Sequence, residues 1–536
     1  MWRESDIELL DGWIKEGNMI PERILERLTE ARGYGGLQES EYIGIKRAFA
    51  SHGVEEAGTV RLGEDGFISF LKSSSTTPSL LNEAGNILYS SLLYLSKYPF
   101  QLDASQTMTL GGFSRAILWA LIDHPFGEIR GRTLYAESNF CRGRTPADYR
   151  RAIFQSLATS RDGIGLPYDE EEWKKQAKRR AYQFDRSEAS HIEFAGINCD
   201  EDGDEMYHDV LDILYSSQIE IHPCLAPVYR DRFRPLAKKL HGNHTRLHHL
   251  TIPQDSFQRL VKLFVSCHFG PNSRAKVEDM LDLDQVSWCI TKAFARNPDI
   301  GITWPMFDEA CKVTPWLLDG YHILSSFFDN PDPTDYMEYA APDLPNPIGI
   351  LTFPIMGQLG IMFSRSSFAF YHLRRLQSYD PRSNEINISM VTEEIHNAPD
   401  TVYFLVSGKE KKTGEISIFG LYIAVPSKDG DEIQSTEVEN VVNMQDTCLF
   451  QLSPIHDMYS GNRGLPGWTT IEDRLCFGDR DNGAALELSN GCRAGAVFHN
   501  VSGKGKPVYD ASEWRGDWKV EFDVESIELW VDDDED

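Results

Sequence analysis

The chain has 536 residues, 41% of them hydrophobic and 11% aromatic, which exceeds one ordinary core and excludes a mainly disordered polypeptide. Lys and Arg total 53 against 82 Asp and Glu, a formal net charge of −29. A balance that acidic opposes broad contact with nucleic acid or anionic lipid, both of which it repels at long range. The opening MWRESDIELLDGWI lacks the basic-then-apolar order of a secretory signal and the second-position Gly needed for myristoylation. No apolar run reaches the roughly 20 residues that span a bilayer. Nine cysteines without a C-x-x-C or a paired framework fit reduced thiols, so the sequons at Asn243, Asn387 and Asn500 are expected to be silent. The expected location is cytoplasmic.

Residues 1–160 read as helical. LNEAGNILYSSLLYLSKY and FSRAILWALI (Phe113 to Ile122) carry the apolar spacing of buried helices. Within this part, RLGEDGFISFLK holds the Asp-Gly-x-Ile core of an EF-hand loop, with Gly66 at the turn and Ile68 in the small β-contact. That alignment puts Arg61 at position one and Lys72 at position twelve, where calcium needs carboxylates. A metal-free, EF-like hand is the expectation. Residues 161–220 turn charged and Gly-interrupted, as a linker or insertion. Its basic run Lys174, Lys175, Lys178, Arg179 and Arg180 follows the acidic 169–172, which favours a solvated helix face over a docking patch.

At the end of that insertion, NCDEDGDEMYHD places Asn198, Asp200, Asp202 and Asp209 at near-loop spacing around Gly203, but Glu205 stands where an apolar residue belongs and no closing Glu follows. HGNHTRLHH sets His244 and His248 four apart beside His241 and His249, without a carboxylate or thiol and with Arg246 adding repulsion. Both read as metal-free. Residues 221–330 are again helical. Phe257, Leu260, Val261 and Phe264 form one apolar stripe, which Asp255 or Ser256 could cap. ITWPMFDEACKVTPWLLDGYHILSSFF continues the pattern with a break at Pro315. Residues 331–347 then carry most of a five-proline stretch, a linker at the main domain boundary.

From 348 to 536 strand signals dominate. TVYFLVS (Thr401 to Ser407) is apolar on both faces, as in a central strand, and ISIFGLYIAV completes a hairpin. Its phase changes at Phe419-Gly420, which predicts a bulge or a close backbone approach there. CLFQL, AALEL and GAVFH are further strands. WKVEFDVESIELWV alternates from Trp518 to Val524, slips at Glu525-Ser526, and points Ile527, Leu529 and Val531 inward. A bend at the slip would let one segment serve two sheets. The fold class expected for the whole is multidomain α+β: a mostly helical, EF-hand-like N-terminal half and a C-terminal antiparallel two-sheet β-sandwich.

Several of these strands resemble the TLDc domain in order and spacing. The hairpin ending in Phe419-Gly420 is similar to the domain's Phe-Gly strand pair. CLFQLSP (Cys448 to Pro454) resembles its Phe-Leu-Phe-Ser-Leu segment, and LCFGD with Phe477-Gly478 followed by AALEL its Gly-Phe-Gly section. FDVESIELW (Phe522 to Trp530) resembles the closing Phe-x-Val-x-x-Ile-Glu-Val-Trp signature. The helical N-terminal layout is similar to that of the fungal restriction-of-telomere-capping proteins, which belong to the same family. This resemblance implies two antiparallel sheets with short helices. It also implies binding to subunits of the vacuolar or lysosomal proton-pumping V-ATPase with an influence on its assembly, peripheral association with that membrane through the partner, and a role in oxidation resistance.

Residues do not add an enzyme to that picture. Ser453, His456 and Asp457 are the types of a nucleophilic triad but crowd one short segment, and no G-x-S-x-G elbow exists. SGKGKP is not a phosphate loop, since the first glycine is missing at the required distance. Cys448, Cys476 and Cys492 could scavenge oxidants, yet Cys448 and Cys476 sit in apolar strand runs where thiols are inert. The expectation is therefore a non-enzymatic regulator with no catalytic, cofactor-binding or metal residues, no cofactor and no nucleic-acid partner. A thiol-dependent antioxidant enzyme and a calcium-responsive adaptor are the alternatives.

Overall fold

A computed structural model describes residues 4–30, 39–74, 78–100, 102, 105–121, 146–160, 168–181, 205–219, 228, 230–242, 246–267, 280–297, 299–328, 349–363, 373–379, 388–398, 401–423, 447–462 and 467–532. In chain order its elements begin with α1 (Glu4–Lys15), α2 (Pro21–Glu30), α3 (Glu39–His52), β1 (Val54–Glu56), β2 (Thr59–Leu62), α4 (Glu64–Ser74), α5 (Pro78–Leu95), β3 (Met108–Thr109) and α6 (Leu110–Ala120). There follow α7 (Pro146–Leu157), β4 (Thr159–Ser160), α8 (Glu170–Ala181), α9 (Glu205–Ser216), α10 (Arg234–His241), β5 (Leu250–Thr251), α11 (Gln254–Cys267), α12 (Leu283–Phe294), α13 (Trp304–Val313) and α14 (Phe353–Gly360). The strand-rich part holds β6 (Leu373–Tyr379), α15 (Ile388–Asn397), β7 (Val402–Glu410), β8 (Ile416–Ile423), β9 (Thr447–Ser453) and β10 (Asp457–Ser460). It closes with β11 (Trp468–Ile471), β12 (Arg474–Asp479), β13 (Asn482–Ser489), β14 (Ala494–Asn500) and β15 (Trp518–Asp532).

Two compact units result. The first comprises residues 1–264, 295–312 and 318–336, the second 265–294, 313–317 and 337–536.

The first unit is helical because its apolar residues recur at helical spacing. In α5, Leu81, Ala84, Leu88, Leu92 and Leu95 are all fully buried. Two helix–strand–helix pairs, α3 to α4 and α5 to α6, meet through a short antiparallel contact in which Leu62 of β2 opposes Met108 of β3. Phe67 of α4 and Phe113 of α6 pack edge to face at 6.1 Å, with Phe327 stacked on Phe67 at 5.7 Å. The detailed loop alignment needs correction. Gly66 lies inside the first turn of α4 rather than at a loop turn, and Ile68 is helical rather than in a β-contact. The turn falls instead at Ala57-Gly58, where φ values of 49° and 77° make the tight hairpin between β1 and β2. A smaller correction applies at α11, which starts at Gln254, so neither Asp255 nor Ser256 is its cap.

The second unit is one antiparallel sheet of ten strands in the order β10-β9-β8-β7-β15-β14-β13-β12-β11, with β6 also paired to β15. The sheet folds over on itself, and Phe404 of β7 meets Phe477 of β12 at 5.3 Å across the enclosed core. β7 lies between β8 and β15 and buries both its faces over Val402–Val406, as its unbroken apolar run requires. At the expected phase change, the β8–β9 register shifts between Ile418 and Phe419. A Cβ on Gly420 would sit 2.4 Å from the Phe450 ring, so only glycine admits that approach.

β15 bears out its slip as well. The register shifts between Val524 and Ser526; β14 flanks the residues before the shift, β6 those after it, and β7 runs along the opposite edge. α12 and α14 pack with β9 in this same unit. Thr352 caps α14 by accepting the Ile355 N–H and also donates to Asp282 at 2.7 Å.

Candidate functional site

The most elaborate polar cluster in the sandwich unit forms around Arg515, on the 3₁₀ turn Glu513–Arg515 that follows β14. Its Nη1 donates to Gln451 Oε1 of β9 at 2.6 Å, to the Tyr459 hydroxyl of β10 at 2.7 Å and to Asp457 Oδ2 at 3.3 Å. The guanidinium also lies 4.5 Å from the Trp518 ring centroid. Asp457 Oδ1 accepts from Ser512 Oγ at 2.8 Å. His499 stacks on Trp518 at 5.1 Å, and its Nδ1 meets the Gly516 carbonyl at 2.7 Å while Nε2 accepts the Ser512 N–H. That pattern fixes the neutral tautomer, and burial lowers the pKa of the ring. Burial, then the Asp457 charge, holds the Tyr459 phenol far above its ordinary value. One terminal nitrogen of Arg515 is thus held by three fixed acceptors. The cluster ties the segment before β15 to β9 and β10, and it presents no activated nucleophile.

Ser453, His456 and Asp457 do not converge. Ser453 Oγ donates to the Ile416 carbonyl at 2.9 Å. His456 is fully buried, with Nδ1 accepting from Gln358 Nε2 of α14 at 3.0 Å, while Asp457 serves Arg515. Desolvation pushes the His456 pKa down to about 4, so the ring stays neutral. At the start of the segment SGKGKP, the N–H groups of Ser502 and the preceding Val501 are occupied by the Asp517 carboxylate at 3.1 and 2.7 Å. An internal anion fills the backbone cradle there.

In the helical unit, Asp209 and Glu205 lie on α9 instead of in a loop. Both Asp209 oxygens accept from Arg151, at 2.6 and 3.0 Å, and Asp148 and Glu205 share the same guanidinium. The cation for these carboxylates is an arginine. Asn198, Asp200, Asp202 and Gly203 lie outside the described residues, as does His244. His248 is stacked on Tyr168 at 3.9 Å with Trp173 at its edge, and His241 packs near Tyr207. Among the described residues no group of three His, Cys, Asp or Glu is arranged to hold a metal ion. In the basic run, Lys174 pairs with Glu170 at 2.9 Å on the α8 surface, and Asp169 caps that helix by accepting the N–H groups of Glu171 and Glu172.

Burial raises the pKa of each described thiol. Cys311 is pushed up to about 12 and Cys492 to about 11, while Cys448 goes higher still. Desolvation is the leading cause for Cys267, Cys289 and Cys476 as well. Thiolates are therefore scarce at neutral pH in these positions.

Sequence reasoning missed Arg515, Arg151 and Glu528. Glu528 is buried within β15 and accepts the N–H groups of Ile350 and Leu351 at 3.0 and 3.1 Å and the Trp530 indole N–H at 3.0 Å. One signal was available: an acidic residue between Ile527 and Leu529 beside a Trp marks a strand whose second face is also covered.

The doubled-over ten-stranded antiparallel sheet, closed by a strand that carries FDVESIELW, defines a domain class. Residues 347–531 match the TLDc domain family. Across 547 aligned residues the chain is 21% identical to Restriction of telomere capping protein 5 of the fungus Leptosphaeria maculans, an alignment that takes in 83% of this chain and 79% of that protein. Among the described residues no helix is long and apolar enough to cross a membrane.

Proposed function

We propose that this chain is a non-enzymatic regulator that works by binding a protein partner through its TLDc domain. The observation that carries this reading is the match of residues 347–531 to that domain. The resemblance implies the V-ATPase of the vacuole or lysosome as the partner, an influence on its assembly, and a link to oxidation resistance. Two features of the site support a binding role over a catalytic one. The Ser453, His456 and Asp457 side chains serve separate structural contacts, and the described thiols are held protonated. A surface that prefers one assembly state of its partner shifts the equilibrium by its differential affinity alone.

The fungal relative's name attaches that protein to telomere capping. For this chain we infer no direct contact with DNA, because a net charge of −29 opposes it. The helical unit is proposed as a metal-free EF-like pair. Its two helix–strand–helix pairs joined at Leu62 and Met108 support the layout.

The test is a pull-down of vacuolar membrane extract with the full chain, quantifying the soluble and membrane sectors of the V-ATPase. Recovery of either sector, reduced by substitutions on the TLDc surface, is expected. Failure to retain either sector, together with peroxidase turnover that one Cys→Ser change abolishes, would replace this reading with the thiol enzyme.

A further inference from the structure

Arg115 of α6 extends its guanidinium into a cavity of about 480 Å³ in the helical unit, between α2, the segment before β3 and the first turn of α6. Its nitrogens donate only to neutral oxygens: the Ser96 carbonyl at 2.9 and 3.2 Å, the Leu25 carbonyl at 3.2 Å and the Thr29 hydroxyl at 2.5 Å. Lys97 lines the same cavity and donates to the Ser105 carbonyl at 3.3 Å. Among the described residues neither cation has a carboxylate in ion-pair contact. Arg61 adds a third positive charge, paired with Glu56 at 3.7 Å. The acidic lining is Glu22 and Glu26; Glu26 pairs with Arg23 at 2.9 Å on the surface and partly offsets the charge of Arg115 through space.

The cavity also receives the start of α6. A helix N-terminus carries partial positive charge and leaves its first N–H groups without intrahelical acceptors. Thr109 caps one of them, on Gly112, at 3.1 Å. Gly111 and Gly112 carry no side chains to shield the turn, and a Cβ on either would lie 3.8 Å from an Arg115 Nη atom. A guanidinium set against a positive helix end, with an ammonium nearby, is an arrangement of like charges. Burial lowers the pKa of Arg115 to about 10, with the Glu26 charge opposing it, and burial followed by the Arg61 charge lowers that of Lys97. An anion in the cavity would relieve all of these at once, and donors of this kind suit the oxygens of a phosphate group.

We propose that this cavity binds a phosphate-bearing anion, held by Lys97 and Arg115 against the first turn of α6. The volume accommodates a phosphorylated small molecule or a lipid phosphate headgroup, which present the same chemistry. The site lies in the helical unit and does not rest on the partner proposed for the TLDc domain.

The experiment is calorimetric titration of the full chain with inorganic phosphate and with pyrophosphate at low salt. In parallel, co-sedimentation uses phosphatidylcholine vesicles with and without a phosphatidylinositol phosphate. Saturable one-to-one binding is expected, weakened about tenfold or more in Lys97→Gln, since a charged hydrogen bond is lost. Lys97 makes one hydrogen bond to a carbonyl, so this variant is expected to fold, and circular dichroism checks that it does. Arg115→Lys, which keeps the charge and loses the fork, should weaken binding as well. Binding to vesicles without binding to free phosphates would assign the site to a lipid headgroup, and the reverse to a soluble ester. Absence of saturable binding in every arm, or binding that both variants leave unchanged, overturns the proposal.

Discussion

The carboxylate of Glu528, in the last strand of the sandwich unit, accepts the backbone N–H of Leu351 at 3.1 Å, joining residues 177 positions apart. The same side chain takes the Ile350 and Trp530 N–H groups, so the start of the domain is held to its final strand by one buried acid. In Glu528→Ala all three donors are left buried without an acceptor, at a cost of about 3 kcal/mol or more. Urea unfolding followed by tryptophan fluorescence should show the loss. A midpoint equal to that of the native chain would mean that the three N–H groups find other acceptors.

Arg515 holds Asp457, Gln451 and Tyr459 together, so Arg515→Met should leave Asp457 as a buried charge with Ser512 and the Met458 N–H as its remaining donors. Breaking one side of a buried pair costs about 3–5 kcal/mol. The double change Arg515→Met with Asp457→Asn should recover a measurable part of that stability. Equal instability of the single and double variants would argue that packing on Trp518 dominates instead.

His456 is neutral in the folded state, with its pKa held down at about 4 by burial, whereas the unfolded chain has the ordinary value near 6.5. The unfolded state therefore binds more protons between these limits. The stabilising contribution is complete above about pH 6.5 and is lost as the pH falls through about 4, amounting to about 3 kcal/mol. Stability measured at pH 7 and pH 4.5 should show a steeper decline in the native chain than in His456→Gln. Parallel declines would remove His456 as the source.

Phe522 of β15 lies across Gly495 of β14, its registered partner, and a Cβ there would come within 2.2 Å of the ring. Gly495→Ala should destabilise the sandwich by about 1–3 kcal/mol through overpacking. Adding Phe522→Leu to Gly495→Ala should return part of the loss, a coupling that a double-mutant cycle reads directly.

How much of this was legible in the sequence depended on what each residue's signal encodes. Alternation reports which way a side chain points, so β7, β8, β9, β13, β14 and β15 could be read, and the phase slips at Phe419-Gly420 and Glu525-Ser526 appear as register shifts. β6 and β10 could not be read this way. β6 has mixed polarity at an edge, and β10 alternates polar residues that serve Arg515. The Gly66 alignment failed because an Asp-Gly pair suits a helix's first turn as well as a loop, and only tertiary packing decides. Asp209 reads in sequence as part of a metal-free acidic loop, and its place on α9 against Arg151 was not legible because that partner is 58 positions away. Long-range polar pairing leaves no periodic trace, which is why Arg515 and Glu528 emerged from the coordinates.

β15 has a consequence for how the domain is made. It supplies a partner to β7, β14 and β6, all of which are synthesised before it. While residues 518–532 are still inside the ribosomal tunnel, those strands carry open hydrogen-bonding edges, the kind of edge that recruits other chains. The core of the sandwich can close only after translation has passed this segment. A nascent chain stalled a few residues short should therefore behave as an aggregation-prone sheet fragment, and a growing cell would need to shield it during that interval.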